Sequence, residues 1–218
     1  MTYALTTNDP IDAPTNAPTK IADGGTRWNN EILAEFNGTD AHCFEGSTDL
    51  IDLIKTQTFT LYFAVDFDAT SNGKYLLDCR ISGNSKYFII NVLAANATTF
   101  SLRVLAKGDT GTDTCDTSVI THGGSLPYRT YICVRCDGTK LGIIVNDRAT
   151  GETEEAAFWT HVGSQSLIAP CVIGARYNRA SPWDGNFAGM WVADAYHDNA
   201  TVDEFITYLG GRYGTPNS

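Results

Sequence analysis

One stretch, residues 57–68, narrows the folds open to this chain more than any other. Phe59, Leu61, Phe63, Val65 and Phe67 alternate there with Thr58, Thr60, Tyr62, Asp66 and Asp68. Side chains of an extended strand point to opposite faces in turn, so this period of two predicts a strand with one buried face. The alternation returns at Tyr75, Leu77, Cys79 and Ile81, at Phe100, Leu102 and Val104, and at Leu141, Ile143 and Val145. Tyr87-Phe88-Ile89-Ile90-Asn91-Val92-Leu93 is apolar on both faces, which predicts a central strand. Ser71-Asn72-Gly73, Ser82-Gly83-Asn84, Gly123-Gly124 and Asp137-Gly138 punctuate the strands, the last as a tight hairpin between residues 130–136 and 140–146.

Helical periodicity is scarce. Residues 49–55 predict one short turn, and residues 201–209 a helix with Val202, Phe205, Ile206 and Leu209 on one stripe. Thr201 and Glu204 have the spacing of a capping box, and Gly210-Gly211 predicts the stop. The whole pattern is all-β: an antiparallel two-sheet sandwich with a short C-terminal helix, one domain over residues 31–218 without internal repeat. Residues 1–30 differ. Pro10, Pro14 and Pro18 hold the chain extended, and apolar periodicity is absent. This segment reads as a terminal arm, frayed or laid on a neighbouring subunit, with Trp28 as part of its assembly surface.

Charge and length exclude several partners. Twenty-five Asp and Glu oppose 15 Lys and Arg in 218 residues, a formal charge of -10, which repels phosphate backbones. Nucleic acid is therefore not expected, and the apolar runs are far too short to cross a bilayer. The opening residues carry neither a basic nor an apolar signal region, so the expectation is either a chain mature as written or one that works without the general export route. The six cysteines are dilute and read mostly as reduced, buried side chains.

Several pieces in order carry a family likeness. They are Leu33-Ala34-Glu35-Phe36-Asn37-Gly38, Phe59-Thr60-Leu61-Tyr62-Phe63, Lys74-Tyr75-Leu76-Leu77-Asp78, Asp137-Gly138-Thr139 with Val145-Asn146-Asp147, and Ile173-Gly174 with Trp183-Asp184-Gly185. Together they resemble the concanavalin A-like jelly rolls, and within them the laminin-G-like domains, over residues 31–213. The resemblance implies the two-sheet sandwich. It does not imply one function, because lectins, adhesion modules, glycanases and virion surface proteins share this fold.

Chemical motifs are weak. A retaining glycanase needs two carboxylates flanking one sugar bond. Glu152-Thr153-Glu154-Glu155 is the nearest approach, but it follows Thr150-Gly151 and reads as a solvated polar turn. His122 and His161 lack the neighbours that polysaccharide lyases of this fold require. Cys133-Val134-Arg135-Cys136 has zinc-knuckle spacing, yet strand geometry sends its two thiols to opposite faces, where they cannot close one tetrahedral site. Calcium is the one cofactor to consider, with Asp109, Asp113 and Asp116 as oxygen donors in a predicted loop and Asp194 and Asp198 as a second pair. For a glycan, Arg176-Tyr177-Asn178-Arg179 with Trp183-Asp184 offers an aromatic plane beside planar polar groups, against the competing reading that Trp183 covers the end of the core. Trp191, which alternates with Phe187 and Gly189, reads as core.

These readings combine into one expectation: a non-enzymatic virion surface protein, as capsid decoration, head fibre or tail component. It would be made in the host cytoplasm, self-associate as a homo-oligomer, dock on other virion proteins through residues 1–30, and take host surface glycans as a further partner. The alternatives are a bacterial carbohydrate-binding or adhesion module, and a glycan-cleaving enzyme whose site the motifs do not reveal.

Overall fold

The alternating segments fold into two antiparallel sheets packed face to face, as their periodicity requires. The structure, a computed structural model, describes residues 3–5, 19–21, 28–29, 31, 33–38, 44–46, 48–67, 73–80, 86–122, 127–159, 171–176, 178 and 180–216. In chain order the elements are β1 (Tyr3–Leu5), β2 (Thr19–Ile21), β3 (Leu33–Asn37), β4 (Phe44–Gly46), α1 (Thr48–Thr56), β5 (Thr58–Phe67), β6 (Tyr75–Arg80), β7 (Tyr87–Ala95) and β8 (Thr99–Lys107). They continue as β9 (Thr112–Asp116), β10 (Ile120–Thr121), β11 (Tyr128–Asp137), β12 (Leu141–Val145), α2 (Arg148–Gly151), β13 (Glu152–Glu155), β14 (Cys171–Ile173), β15 (Asp184–Ala193) and α3 (Asn199–Tyr213). The first sheet runs β13-β12-β11-β5-β15-β3-β2, with β1 also on β15. The second runs β10-β8-β7-β6-β14-β4, with β9 also on β8.

The core lies between the sheets. Phe59, Leu61, Phe63, Val65 and Phe67 meet Phe88, Ile90 and Val92 of β7 and Leu102 and Val104 of β8. Phe59 and Phe88 pack edge to face with ring centroids 5.7 Å apart. The Asp137-Gly138 hairpin forms as expected: Asp137 Oδ1 accepts from the Thr139 and Lys140 amides, and Gly138 takes a φ of 96°. Among the described residues no helix is long and apolar enough to cross a membrane.

The other face of β5 departs from the expectation of one buried side. Thr60, Tyr62, Ala64 and Asp66 are buried too. A second apolar layer covers them, built from Trp28, Trp191, Val202, Leu209 and Tyr213 with Phe205 and Ile206 at its edge. The cover is supplied by residues far away in sequence, so local alternation does not register it.

The helix that provides this cover is longer than its predicted span. Its N-cap is Asp198, whose Oδ1 accepts from the Thr201 amide and hydroxyl, in place of the Thr201–Glu204 box. It continues through Gly210-Gly211 to Tyr213 and ends at Gly214, with φ 90°. Two helical glycines cost ~1 kcal/mol each relative to Ala. Burial of Leu209 and Tyr213, worth about 1.5–3 kcal/mol per large side chain, offsets that cost. α1 is likewise more than a single turn: nine residues, with Leu50, Ile51 and Ile54 buried in the core.

The N-terminal segment is corrected as well. β1 pairs with β15 and β2 with β3, both antiparallel and within the same chain, so pairing crosses the expected boundary at residue 30. Trp28 belongs to no free arm. It is 1% exposed, lies 6.2 Å from the Tyr213 ring and donates from Nε1 to Asp66 Oδ2 at 3.3 Å. Pro10, Pro14 and Pro18 lie outside the described residues.

Two of the cysteines depart from the reduced reading. Cys79 and Cys171, partners in the β6–β14 register, form a disulfide. Cys115, Cys133 and Cys136 are free thiols and buried. Cys43 lies outside the described residues.

Candidate functional site

Among the polar clusters of the described residues, two differ in their chemistry. The first lies under the strap that joins β15 to α3. Thr60 Oγ1 donates to Ala195 O at 2.8 Å and accepts from the His197 amide at 3.0 Å. Tyr62 OH and His197 Nδ1 share a hydrogen bond of 2.9 Å. Arg135, 2% exposed, donates to His197 O at 2.9 Å, to Asn199 Oδ1 at 2.8 Å and to Glu152 Oε1, with Tyr196 stacked 4.8 Å away. Burial, reinforced by the Cys133 charge, raises the Tyr62 pKa, and burial raises that of Cys133. Both stay protonated at neutral pH, so neither is activated as a nucleophile. Its hydrogen bonds run inward and hold α3 on the first sheet.

The acidic run sits beside that cluster. β13 is an edge strand, not the expected polar turn, and its alternation puts Glu152 and Glu154 on one side. Each is paired: Glu152 with Arg135 and Arg148, Glu154 with Lys140 at 3.1 Å. A cavity of about 300 Å³ between α2 and α3 is likewise bridged, by Arg148 and Asp203 at 3.0 Å.

The second region is the outer face of the second sheet. On β7, Phe88, Ile90 and Val92 point into the core, which leaves Tyr87, Ile89 and Asn91 outward. On β8 the same logic turns Arg103, Leu105 and Lys107 outward, and on β9 Thr112, Thr114 and Asp116. Registers align these positions in rows across the strands. One row is Tyr75, Asn91, Arg103 and Asp116; another is Arg80, Tyr87, Lys107 and Thr112. Between them runs Asp78, Ile89, Leu105 and Thr114. Irregularities at Tyr75/Leu77 and Val92/Ala94 fall at one corner of this grid, and bulges of this kind re-aim side chains beside functional sites.

The face combines aromatic and paired ionic groups. Arg80 Nε donates to Asp78 Oδ1 at 2.5 Å, with both residues buried. Its guanidinium carbon lies 5.7 Å from the Tyr75 ring centroid and 5.5 Å from that of Tyr87. Burial works against the charge of Arg80, yet the hydrogen bond and charge of Asp78 hold its pKa above the ordinary value. Arg103 makes a bidentate pair with Asp116, which raises the Arg103 pKa through that hydrogen bond. Asn91 donates from Nδ2 to Val92 O at 3.2 Å, and its buried Oδ1 has no partner among the described residues. Tyr87, Asn91, Leu105 and Lys107 are half-buried, so aromatic, aliphatic and basic residues all contribute to the surface here.

The structure separates most of the residues that the sequence groups. Trp183 is 1% exposed in the core and donates from Nε1 to Asp66 O at 2.8 Å, which agrees with the reading that it covers the end of the core and corrects its alternative place as a glycan platform. Asp184 sits against Gly38 at the start of β15. Arg176 does reach the outer face, 6.0 Å from the Tyr75 ring. Tyr177 and Arg179 lie outside the described residues. The calcium donors are not brought together: Asp109 pairs with Lys86 at 2.8 Å, Asp116 faces outward to Arg103, and Asp113 faces inward. Asp198 is used as the cap of α3. Among the described residues no group of three or more His, Cys, Asp or Glu is placed to hold a metal ion. Cys133 and Cys136 do lie on opposite faces of β11, as the spacing implies.

Sequence reasoning does not single out Tyr75, Arg80, Tyr87, Asn91 or Arg103. The signal present is the mixed outward half of each strand, Tyr87-x-Ile89-x-Asn91 and Arg103-x-Leu105-x-Lys107.

This architecture is that of the antiparallel jelly-roll-type sandwiches, with strands on both layers and a helix closing one outer face. No protein-family model matches the chain, and no curated protein matches it by sequence. Solved structures do. The chain is similar to the CBM40 module of the Ruminococcus gnavus IT-sialidase bound to α2,3-sialyllactose, at 16% identity and TM-score 0.59, covering 81% of this chain and 95% of that one. It is similar to domain 4 of AbnA, a GH43 extracellular arabinanase from Geobacillus stearothermophilus in complex with arabinotriose, at 13% identity and TM-score 0.54, covering 95% and 96%. It is also similar to part of a Trypanosoma rangeli sialidase, at 13% identity and TM-score 0.55, covering 80% of this chain and 27% of that one. At these identities the likeness shows the fold. The virion role expected from the sequence finds no support in it.

Proposed function

We propose that the chain is a carbohydrate-binding module that holds a glycan on the outer face of its second sheet and does not cleave it. The observation that carries this reading is the grid itself. Tyr87 and Tyr75 flank Arg80, Asn91 stands beside the Arg103–Asp116 pair, and Leu105 lies between the polar rows. A sugar offers apolar C–H faces and hydroxyl edges, and a few fixed polar groups beside aromatic and aliphatic surface suit that mixture. Fold likeness to two glycan-bound modules over most of their length supports the assignment. Glu152 and Glu154, on one side of β13, each lie in an ion pair, which supports binding in preference to turnover.

A glycan array with the wild-type protein and Tyr87→Ala tests this. Binding of at least one glycan class is expected, weakened tenfold or so in the variant if one aromatic anchor is lost. A wild type that binds no glycan would remove the proposal. So would release of new reducing ends from a bound glycan.

A further inference from the structure

The two arginines of the grid differ from those of a typical anion site. An arginine that receives a carboxylate does so with a free fork of parallel N–H groups. On this face the fork of Arg103 is closed by the protein's own carboxylate, Nε to Asp116 Oδ1 and Nη2 to Asp116 Oδ2, both at 2.6 Å. The pair is accessible, with side chains 29% and 35% exposed, so an incoming ligand meets Arg103 and Asp116 together. Arg80 is committed to Asp78 and is 3% exposed. Lys86 is held by Asp109.

We infer that the face selects an uncharged glycan and rejects carboxylate-bearing sugars, with Asp116 as the residue that sets this preference. The inference rests on the carbohydrate-binding reading and narrows its ligand. A neutral diol can accept from the remaining guanidinium N–H groups and donate to the carboxylate oxygens of Asp116, and leave the pair intact. An acidic sugar at the same place meets a like charge. To reach the fork it must displace a carboxylate already fixed on the neighbouring strand, opposite Arg103 in the β8–β9 register. Among the described residues Lys107, four positions along β8 from Arg103, and Arg176, beside Tyr75, also lie on this face. They act against a molecule whose formal charge is -10, which disfavours the approach of anions.

Calorimetric titration with matched pairs of oligosaccharides tests this: lactose against sialyllactose, and xylo-oligosaccharides with and without a glucuronate branch, beside arabinotriose. The wild type should take neutral members and change affinity less than about twofold between low and high salt, since no net charge pairing is made. Asp116→Ala, with Asp116→Asn as a second variant, frees the Arg103 fork. Either should gain about tenfold for the carboxylated member of a pair, the scale of a charge-assisted hydrogen bond. Wild-type preference for the acidic members, or folded variants without that gain, would overturn the inference and leave the carbohydrate reading intact. Absence of binding to every sugar in the panel would overturn both.

Discussion

Phe187 and Trp191 stand four residues apart on β15 and face opposite sides of their sheet. Phe187 lies in the core between the sheets and Trp191 in the outer layer under α3. Four residues along a regular strand would return to the same face. The register shifts between Phe187 and Gly189, and this one-residue bulge reverses the parity of everything after it. Met190 and Val192 therefore point into the core while Trp191 turns out to meet Phe205 and Tyr213.

Gly189 is the residue that permits this packing. A Cβ there would lie 2.7 Å from the Trp191 indole, which Phe205 and Tyr213 hold in place. Gly189→Ala should therefore destabilise the fold by about 1–3 kcal/mol, the cost of overpacking. Urea denaturation checks it, and an unchanged midpoint would mean that the indole has room to move.

The glycines of α3 predict the opposite sign. A Cβ at Gly210 or Gly211 meets nothing within 4 Å, and both are helical. Gly210→Ala should raise stability by about 0.5–1 kcal/mol through lost unfolded-state freedom and better helix propensity. At the other end, Asp198→Ala removes the cap on the Thr201 amide and should cost about 1 kcal/mol. Thermal melts of the two variants should move in opposite directions.

Stability should fall in mild acid. Burial lowers the His197 pKa from the ordinary imidazole value, an effect the nearby Asp198 charge partly opposes. The folded state thus favours neutral His197, and the unfolded chain binds the proton more readily. Its contribution is complete above the unfolded value of about 6.5 and is lost as pH falls through the lower folded value. His197→Gln should flatten this part of the pH–stability curve, which denaturation at a series of pH values would reveal.

The disulfide between Cys79 and Cys171 closes a sequence separation of 92 residues. Reduction, or the double Cys→Ala variant, should lower stability by about 2–4 kcal/mol. Peptide mapping without reductant should recover the two cysteines linked. Recovery as free thiols would contradict the structure.

What the sequence discloses follows from the range over which each feature is encoded. The inward halves of β5, β8 and β12 and the central place of β7 are legible because the patterns are local, and so is the separation of Cys133 from Cys136. The layer over Tyr62 and Asp66 is not, because Trp28 and Tyr213 arrive from opposite ends of the chain. A bulge leaves no mark in composition, so alternation alone groups Trp191 with Phe187. Trp183 draws attention as an aromatic among polar residues, yet its indole closes the core. The grid stays hidden for a related reason. Arg103 and Asp116 are 13 residues apart and become a pair only through the β8–β9 register, and Asp116 alone looks like a loop acid.

The most direct test is an amide NMR titration of the isotope-labelled protein with the tightest-binding oligosaccharide from the panel. Saturable shifts should concentrate at Tyr87, Asn91, Arg103 and Asp116 and should need about tenfold more ligand in Tyr87→Ala, with its melting temperature retained. Shifts confined to the strap at 194–198 and α3, or no shift with any glycan, would contradict a binding face on the second sheet.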